Sequence, residues 1–195
     1  MSKIVAIMGS TNSKGDTASA VDAILDGAMG LSTNVIKYHS VGKLRLTAGC
    51  DYSRLSVDKV IDSDLKAVLD DIGSADAVIF ATPLYFNFPT AQFMTVLHGL
   101  SYFGSDGTSK LAGKKAIVLI TCDRMDSLSN SVLENMVSAL ETMGMIVVSR
   151  MIFSNHAGSQ KFIDNKAAID KAVKVGAKFY KTFDVEPDTE VVVLG

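Results

Sequence analysis

The sequence predicts an α/β fold in which a five-stranded parallel sheet carries helices on both faces. Short apolar runs alternate along the chain with segments of helical periodicity, as in successive strand–helix units. The apolar runs also lack polar alternation, which is typical of strands that are covered on both faces. The periodicity alone does not decide the order of the strands in the sheet.

The elements follow from this alternation in chain order. Five strands are predicted, at Ile4–Met8, Asn34–Tyr38, Ala77–Ala81, Ala116–Ile120 and Met145–Ile152. Apolar residues three and four positions apart predict helices over 17–29, 61–72, 132–143 and 165–183. One more helix is expected to begin with Pro89 in its first turn, after a loop over 82–88.

The predicted elements form a single domain over residues 1–183, and residues 184–195 are set apart as a C-terminal tail. The tail contains the apolar run Val191–Leu194. This run either forms an edge strand of the sheet, packs against a partner or is disordered, and the sequence does not distinguish these alternatives.

Charge and composition exclude several classes of protein. The 19 Lys and Arg residues against 21 Asp and Glu residues leave a net charge of −2, which gives no electrostatic reason to bind nucleic acid or an anionic membrane. Residues 77–105 carry no charge, but their prolines and polar side chains do not suit a membrane span. With only two cysteines and no secretory signal, the expected location is the cytoplasm.

The loop after the first strand, Gly9 to Thr17, resembles a phosphate cradle. It lies between a strand and a helix, where the free N–H groups of the helix N-terminus meet an anionic ligand. It matches neither the Walker pattern nor the dinucleotide fingerprint, so a phosphate monoester is favoured. A plain polar turn with Asp16 as the N-cap is an equally open alternative. Side-chain donors in the loop are Ser10, Thr11, Asn12, Ser13 and Thr17.

A second loop, Thr82 to Pro89, follows the third strand and is predicted at the same edge of the sheet. Its aromatic residues and prolines would offer a stiff, flat surface to a ring. The alternative is that Tyr85, Phe86 and Phe88 are ordinary core or interface residues. The uncharged stretch also suggests a subunit interface, with Phe93 and Phe103 as candidate contacts.

Together the two loops resemble the NAD(P)H-dependent FMN reductases and iron–sulfur flavoproteins of the flavodoxin-like superfamily. The resemblance rests on Gly9–Thr17 and on Ala75–Phe86, with support from Leu111–Ala116. It implies a flavodoxin-like three-layer fold with strand order 2-1-3-4-5, whereas a Rossmann domain of another order is the alternative. The uncharged stretch over 77–105 separately suggests a homodimer or homotetramer.

The resemblance further implies that FMN binds noncovalently, with its phosphate in the first loop and its ring against the second and third loops. The residues implied for the phosphate are Ser10, Asn12, Ser13, Asp16 and Thr17. Those implied for the ring and ribityl chain are Pro83, Leu84, Tyr85, Phe86 and Asn87, together with Thr121, Cys122 and Asp123 after strand four. No side chain is predicted as a catalytic acid or base, because the cofactor carries the chemistry.

The sequence departs from the family pattern at three places. Asn12 stands where Arg is usual, and Asp16 stands where Asn is usual, so a carboxylate lies beside the phosphate unless it turns away or is protonated. Thr47, Cys50 and Ser53 occupy the spacing of cluster cysteines, and one thiol cannot hold a centre that needs ~4 ligands. We therefore expect no iron–sulfur cluster and no metal.

The resemblance implies an FMN-dependent oxidoreductase that takes hydride from NADPH or NADH and passes electrons to a small acceptor, such as a quinone or a flavin. The alternative is a flavodoxin-like FMN-binding or electron-transfer protein without its own reductase activity, which the changes at Asn12 and Asp16 favour. A structural subunit whose uncharged segment serves only as an interface is the third possibility.

Overall fold

The computed structural model describes residues 3–29, 35–44, 63–104, 109–156, 160–181 and 190–194. Its strands are β1 Lys3–Met8, β2 Val35–Ser40, β3 Ala77–Tyr85, β4 Phe88–Pro89, β5 Lys115–Cys122, β6 Ile146–Ser154 and β7 Val191–Val193. Its helices are α1 Asp16–Met29, α2 Ser63–Ser74, α3 Ala91–Gly99, α4 Ser127–Thr142 and α5 Lys166–Lys181.

The sheet confirms the predicted fold class and the predicted order of the five main strands. Its order is β2-β1-β3-β5-β6-β7, with every neighbouring pair parallel, while β4 pairs antiparallel to β3. The predicted order 2-1-3-4-5 corresponds to β2-β1-β3-β5-β6, since the fourth and fifth predicted strands are β5 and β6 of the structure. Because β1, β3 and β5 lie side by side and run in the same direction, their carboxyl ends meet at one edge.

Two apolar layers cover the sheet, one on each face. Along β1, Ile4 and Ala6 join the layer beneath α1 and α5, whereas Val5 and Ile7 join the layer beneath α2, α3 and α4. This alternation is the period-two pattern of a strand. Both sets are buried, which explains why the sequence shows a continuous apolar run instead of polar alternation.

The structure corrects the prediction around Pro89. The third strand continues beyond Ala81 to Tyr85, and Phe88–Pro89 turns back to pair with Leu84 and Tyr85. Pro89 therefore lies in a two-residue edge strand, where its missing N–H is tolerated, and not in the first turn of a helix. Helix α3 begins two residues later, after Thr90 in an extended conformation.

The structure corrects the prediction that Phe93 is an interface contact. Its side chain is fully buried in the chain's own core. Its ring meets that of Phe80 edge to face, with centroids 6.5 Å apart.

In the tail, Val191–Val193 pairs with Arg150–Ile152 as an edge strand. Several residues named in the sequence analysis lie outside the described part of the chain: Gly30, Ile61, the 47–53 segment and residues 184–189. The domain boundary at residue 183 therefore stays a prediction.

Helices α1 and α5 approach each other closely because glycines lie at their contact. A Cβ atom added to Gly176 would collide with the carbonyl of Ile24 in α1, and one added to Gly27 would collide with the carbonyl of Val173 in α5. The two backbones therefore touch where side chains would otherwise separate them. This contact fixes α1, whose other end faces the carboxyl edge of the sheet.

Gly176→Ala should destabilise the fold, although glycine to alanine normally favours a helix. The added methyl group has to push α5 away from α1, and overpacking of this kind costs about 1–3 kcal/mol. Chemical denaturation measures the change in the free energy of unfolding. The matched control is Lys174→Ala on the exposed face of α5, which should change stability by less than about 0.5 kcal/mol. A stabilised Gly176→Ala protein would contradict the close contact.

Candidate functional site

Two adjoining cavities open at the carboxyl ends of β1, β3 and β5. The inner cavity has a volume of about 290 Å³ and is lined by Ser10, Asn12, Gly15, Asp16, Thr17, Pro83, Leu84, Tyr85, Thr121, Cys122, Asp123 and Asn155. The outer cavity has a volume of about 470 Å³ and is lined by Leu84, Tyr85, Phe86, Asn87, Cys122, Asp123, Arg124 and Asp126. The two cavities adjoin each other, since both linings contain Leu84, Tyr85, Cys122 and Asp123.

The structure gathers the predicted site residues at this edge with one exception. Ser13 lies on the first loop but is exposed and lines neither cavity. Arg124 lies in the third loop, which the resemblance places near the ring, and it lines the outer cavity. The lining residues that the sequence did not reveal are Gly15, Asp126 and Asn155. The signal that could have found Asn155 is its position, since it directly follows β6 just as the other loops follow their strands.

The start of the first loop is anchored to the central strand. The N–H of Gly9 donates to the carbonyl of Ala81 at 2.8 Å, and the Thr90 hydroxyl donates to the Gly9 carbonyl at 3.0 Å. A Cβ at residue 9 would lie only 2.7 Å from the hydroxyl oxygens of Thr82 and Thr90. The loop can therefore leave the sheet at this depth only because residue 9 has no side chain.

The side chains of Ser10 and Asn12 shape the loop from within. The N–H of Asn12 donates to the Ser10 hydroxyl at 3.1 Å, and the N–H of Lys14 donates to the Asn12 side-chain carbonyl at 3.0 Å. These are local turns of the kind that serine and asparagine favour. An anion in the inner cavity would meet chiefly the first N–H groups of α1, which have no partner within the helix.

Asp16 lines the inner cavity, and its carboxylate is held by two hydrogen-bond donors from distant parts of the chain. Its carboxylate accepts hydrogen bonds from the backbone N–H of Phe162 at 2.8 Å and from the Asn155 side-chain amide at 3.2 Å. The expected repulsion between this carboxylate and a phosphate is reduced by these two donors. The same bonds tie the connection between β6 and α5 to the start of α1.

A buried pair of hydroxyls joins the first and third loops. The Oγ1 atoms of Thr17 and Thr121 lie 2.7 Å apart, and both residues are almost fully buried. Thr17 stands in the first turn of α1, and Thr121 stands near the end of β5. Their hydrogen bond holds the helix N-terminus level with the strand ends that form the cavity floor.

The tip of the β3–β4 hairpin presents aromatic side chains to solvent at the outer cavity. Phe86 and Asn87 form its two-residue turn, with φ angles of 52° and 64°. Phe86 is 97% exposed, and Tyr85 and Phe88 are also largely exposed. The predicted aromatic surface is therefore present, but Pro83, Leu84 and Tyr85 belong to the strand and not to a loop.

Other classes of site find no support in the part of the chain that the structure describes. Within it, no group of three or more His, Cys, Asp or Glu side chains could hold a metal ion. None of its helices is long and apolar enough to cross a membrane. The predicted absence of a cluster at Cys50 concerns residues outside this part and stays a prediction.

A family comparison decides between the classes that the geometry allows. Residues 2–160 match the model of the NADPH-dependent FMN reductases. The chain belongs to this family. It is therefore an FMN-dependent oxidoreductase that uses NAD(P)H, which confirms the main prediction from the sequence. No match was found among the curated proteins.

Solved structures confirm the flavodoxin-like fold. An NADH:FMN oxidoreductase in its apo form shares 24% identity, with a TM-score of 0.69, over 98% of this chain and 95% of that one. An NAD(P)H:quinone oxidoreductase from Methanothermobacter marburgensis shares 16% identity, with a TM-score of 0.72, over 91% and 96% of the two chains. A quinone reductase described as putative, from Klebsiella pneumoniae, shares 13% identity, with a TM-score of 0.72, over 96% and 87%.

The described residues fit FMN. The inner cavity combines a helix N-terminus with a loop whose approach requires a glycine, as a phosphate cradle does. The adjoining cavities are of the size that encloses a cofactor with room for a second ligand. FMN and NAD(P)H are the cofactors of this family member.

Cys122 offers a direct measurement of occupancy, because its half-buried thiol lines both cavities. Burial raises the pKa of this thiol, so it stays protonated at neutral pH. Since the thiolate is the reactive form, alkylation by iodoacetamide should be slow at pH 7.5 and should accelerate as the pH rises above 9.

Saturating FMN should slow this alkylation at least about tenfold, since a buried thiol loses access to the reagent. Peptide mass spectrometry separates Cys122 from Cys50, and the alkylation of free glutathione serves as the reagent control. Equal rates with and without FMN would place the cofactor away from Cys122.

Proposed function

We propose that the chain catalyses the oxidation of NAD(P)H by a small acceptor, such as a quinone or a flavin, through FMN bound in the inner cavity. The single observation that carries this proposal is the pair of adjoining cavities at the switch point of the sheet. One cavity suits a bound phosphate ester, and the other leaves its mouth open to an exchanging partner.

In this proposal the phosphate lies at the N-terminus of α1, near Ser10, Asn12 and Thr17. The ring would be held by Pro83, Leu84 and Tyr85, together with Thr121, Cys122 and Asp123. Phe86 and Asn87 line the outer cavity beside these residues. The support is that these residues line two adjoining cavities.

The role of the protein is to position ligands and to limit water. When bound, FMN would supply the redox chemistry, because it can accept a hydride and pass two electrons and a proton on to an acceptor. The hydroxyl pair Thr17–Thr121 holds two cavity walls at a constant spacing. The exposed aromatic rings at the hairpin tip provide a flat surface for an incoming ring. Reduction of a quinone to its hydroquinone needs two protons, of which one arrives with the hydride and the other comes from solvent.

The names of the similar structures agree with this choice of acceptors. One is called an NADH:FMN oxidoreductase and another an NAD(P)H:quinone oxidoreductase. The alternative, an electron-transfer protein without its own reductase activity, is separated by a steady-state assay. Oxidation of NAD(P)H that depends on added FMN and on a quinone would exclude it, whereas tight FMN binding without turnover would establish it.

We also propose a cytoplasmic location and a homodimer or homotetramer. The support for assembly is the exposed aromatic cluster of Tyr85, Phe86 and Phe88, which is unusual on a monomer surface. Light scattering on the purified protein measures the assembly, and a monomeric mass at micromolar concentration would rule it out.

Asn12→Asp should weaken FMN binding about tenfold, because a carboxylate would then face the phosphate at the rim of the inner cavity. Asp keeps the side-chain oxygen that accepts from Lys14, so the loop turn is preserved. Asn12→Arg should act in the opposite direction and tighten FMN binding. Quenching of flavin fluorescence measures both dissociation constants.

Riboflavin is the matched ligand, since it has the ring and lacks the phosphate, and its affinity should change less than about twofold. Asn135→Asp on the exposed face of α4 is the matched variant, with the same change of charge away from the cavities. Equal losses of FMN and riboflavin affinity in Asn12→Asp would show that the phosphate does not lie at this loop.

A further inference from the structure

Both cavities have two carboxylates in their lining, Asp16 and Asp123 in the inner one and Asp123 and Asp126 in the outer one, so the difference between them lies in the helix end beside each. Each cavity has a helix N-terminus beside it, α1 for the inner cavity and α4 for the outer one. In α1 the acidic residue of the first turn, Asp16, is held by Asn155 and Phe162, so it does not close the helix end. A phosphate can therefore approach the N–H groups of α1.

The N-terminus of α4 is closed by its own carboxylate. Asp126 lines the outer cavity and accepts a hydrogen bond from the N–H of Ser129 at 2.9 Å, while the Ser129 hydroxyl accepts from the Asp126 N–H at 2.9 Å. This reciprocal capping box satisfies the N–H groups of Asp126 and Ser129. It also places a carboxylate at the positive end of the α4 dipole, where an incoming anion would otherwise be attracted.

A second carboxylate, that of Asp123, lies at the boundary of the two cavities and is exposed. Against these two negative charges the outer cavity has one cation, the exposed side chain of Arg124. The lining therefore carries a net charge of −1. The rest of the lining is apolar or uncharged, with the aromatic rings of Tyr85 and Phe86 at the mouth.

We propose that Asp123 and Asp126 make the outer cavity select uncharged planar acceptors over anionic ones. This inference rests on the proposed function and deepens it, because it separates acceptors whose ring is uncharged from acceptors whose ring carries a negative charge. In the overall reaction NAD(P)H loses a hydride, and the quinone gains two electrons and two protons, one of them from solvent, to give the hydroquinone. A negative charge on the ring would meet repulsion from these two carboxylates, whereas the phosphates of NAD(P)H lie many bonds away from its nicotinamide ring.

The test compares 1,4-naphthoquinone with 1,4-naphthoquinone-2-sulfonate, which have the same ring and differ by one negative charge. The FMN-loaded wild-type protein should show a higher kcat/KM for the uncharged quinone. Raising the salt concentration should reduce the difference in kcat/KM between the two quinones, because salt screens exposed charges. The kcat/KM for the sulfonate should rise, while that for the uncharged quinone should stay the same. Calorimetry without NAD(P)H should show the same preference in the dissociation constants, independently of turnover.

Asp126→Asn is the most informative variant. Asparagine is as good an N-cap as aspartate, so the variant removes the charge and keeps the cap. The ratio of kcat/KM for the uncharged quinone to that for the sulfonate should fall about fivefold, which corresponds to the loss of one like charge near the ligand. Asp123→Asn should lower the same ratio. Asp170→Asn, an exposed carboxylate on α5, is the charge control and should leave the ratio unchanged.

Three results would overturn the charge selection. A wild-type preference for the sulfonate, abolished in Arg124→Gln, would show that Arg124 recruits anions. A ratio that does not move in either aspartate variant would show that these carboxylates do not face the acceptor. A ratio that moves equally in Asp170→Asn would reflect net charge alone. By contrast, a protein that binds FMN and oxidises NAD(P)H with neither quinone would fail the proposed function itself.

Discussion

Everything at the carboxyl edge depends on how little space there is at Gly9. Where the first loop leaves β1, the backbone of Gly9 lies close against the side chains of Thr82 and Thr90. Hydrogen bonds from Gly9 to β3 and from Thr90 to Gly9 hold the loop at this position. The rest of the inner cavity is set from this point, since α1 starts seven residues later and its first turn meets Thr121 through a buried hydroxyl pair. A pocket assembled from three separate loops thereby behaves as one preorganised surface.

The sequence predicts the fold well because burial leaves a direct trace in it. Strands β1, β3 and β5 are covered on both faces, so they appear as unbroken apolar runs, and helices appear through their spacing. The hairpin at Phe88 leaves no such trace. Its turn uses Phe86 and Asn87 in the left-handed region, where glycine is the usual marker, so the sequence suggests a loop and a helix beginning at Pro89.

The site was predictable in position and less so in detail. Loops that follow parallel strands converge, which locates Thr17, Tyr85 and Cys122 together before any coordinates are known. The direction of a side chain within such a loop depends on partners that are distant in sequence. Asp16 is the clearest case, because its two hydrogen-bond donors lie about 140 and 146 positions away, and no local pattern announces them.

The backbone of Phe86 carries a cost that its neighbours do not relieve. A bulky residue at a φ of 52° is strained by about 1 kcal/mol or more, and a side chain that is 97% exposed recovers little of that through packing. Glycine at this position would make the isolated protein more stable. The hairpin tip is thus a place where stability and ligand contact oppose each other, and selection for heat resistance alone would be expected to remove the aromatic ring first.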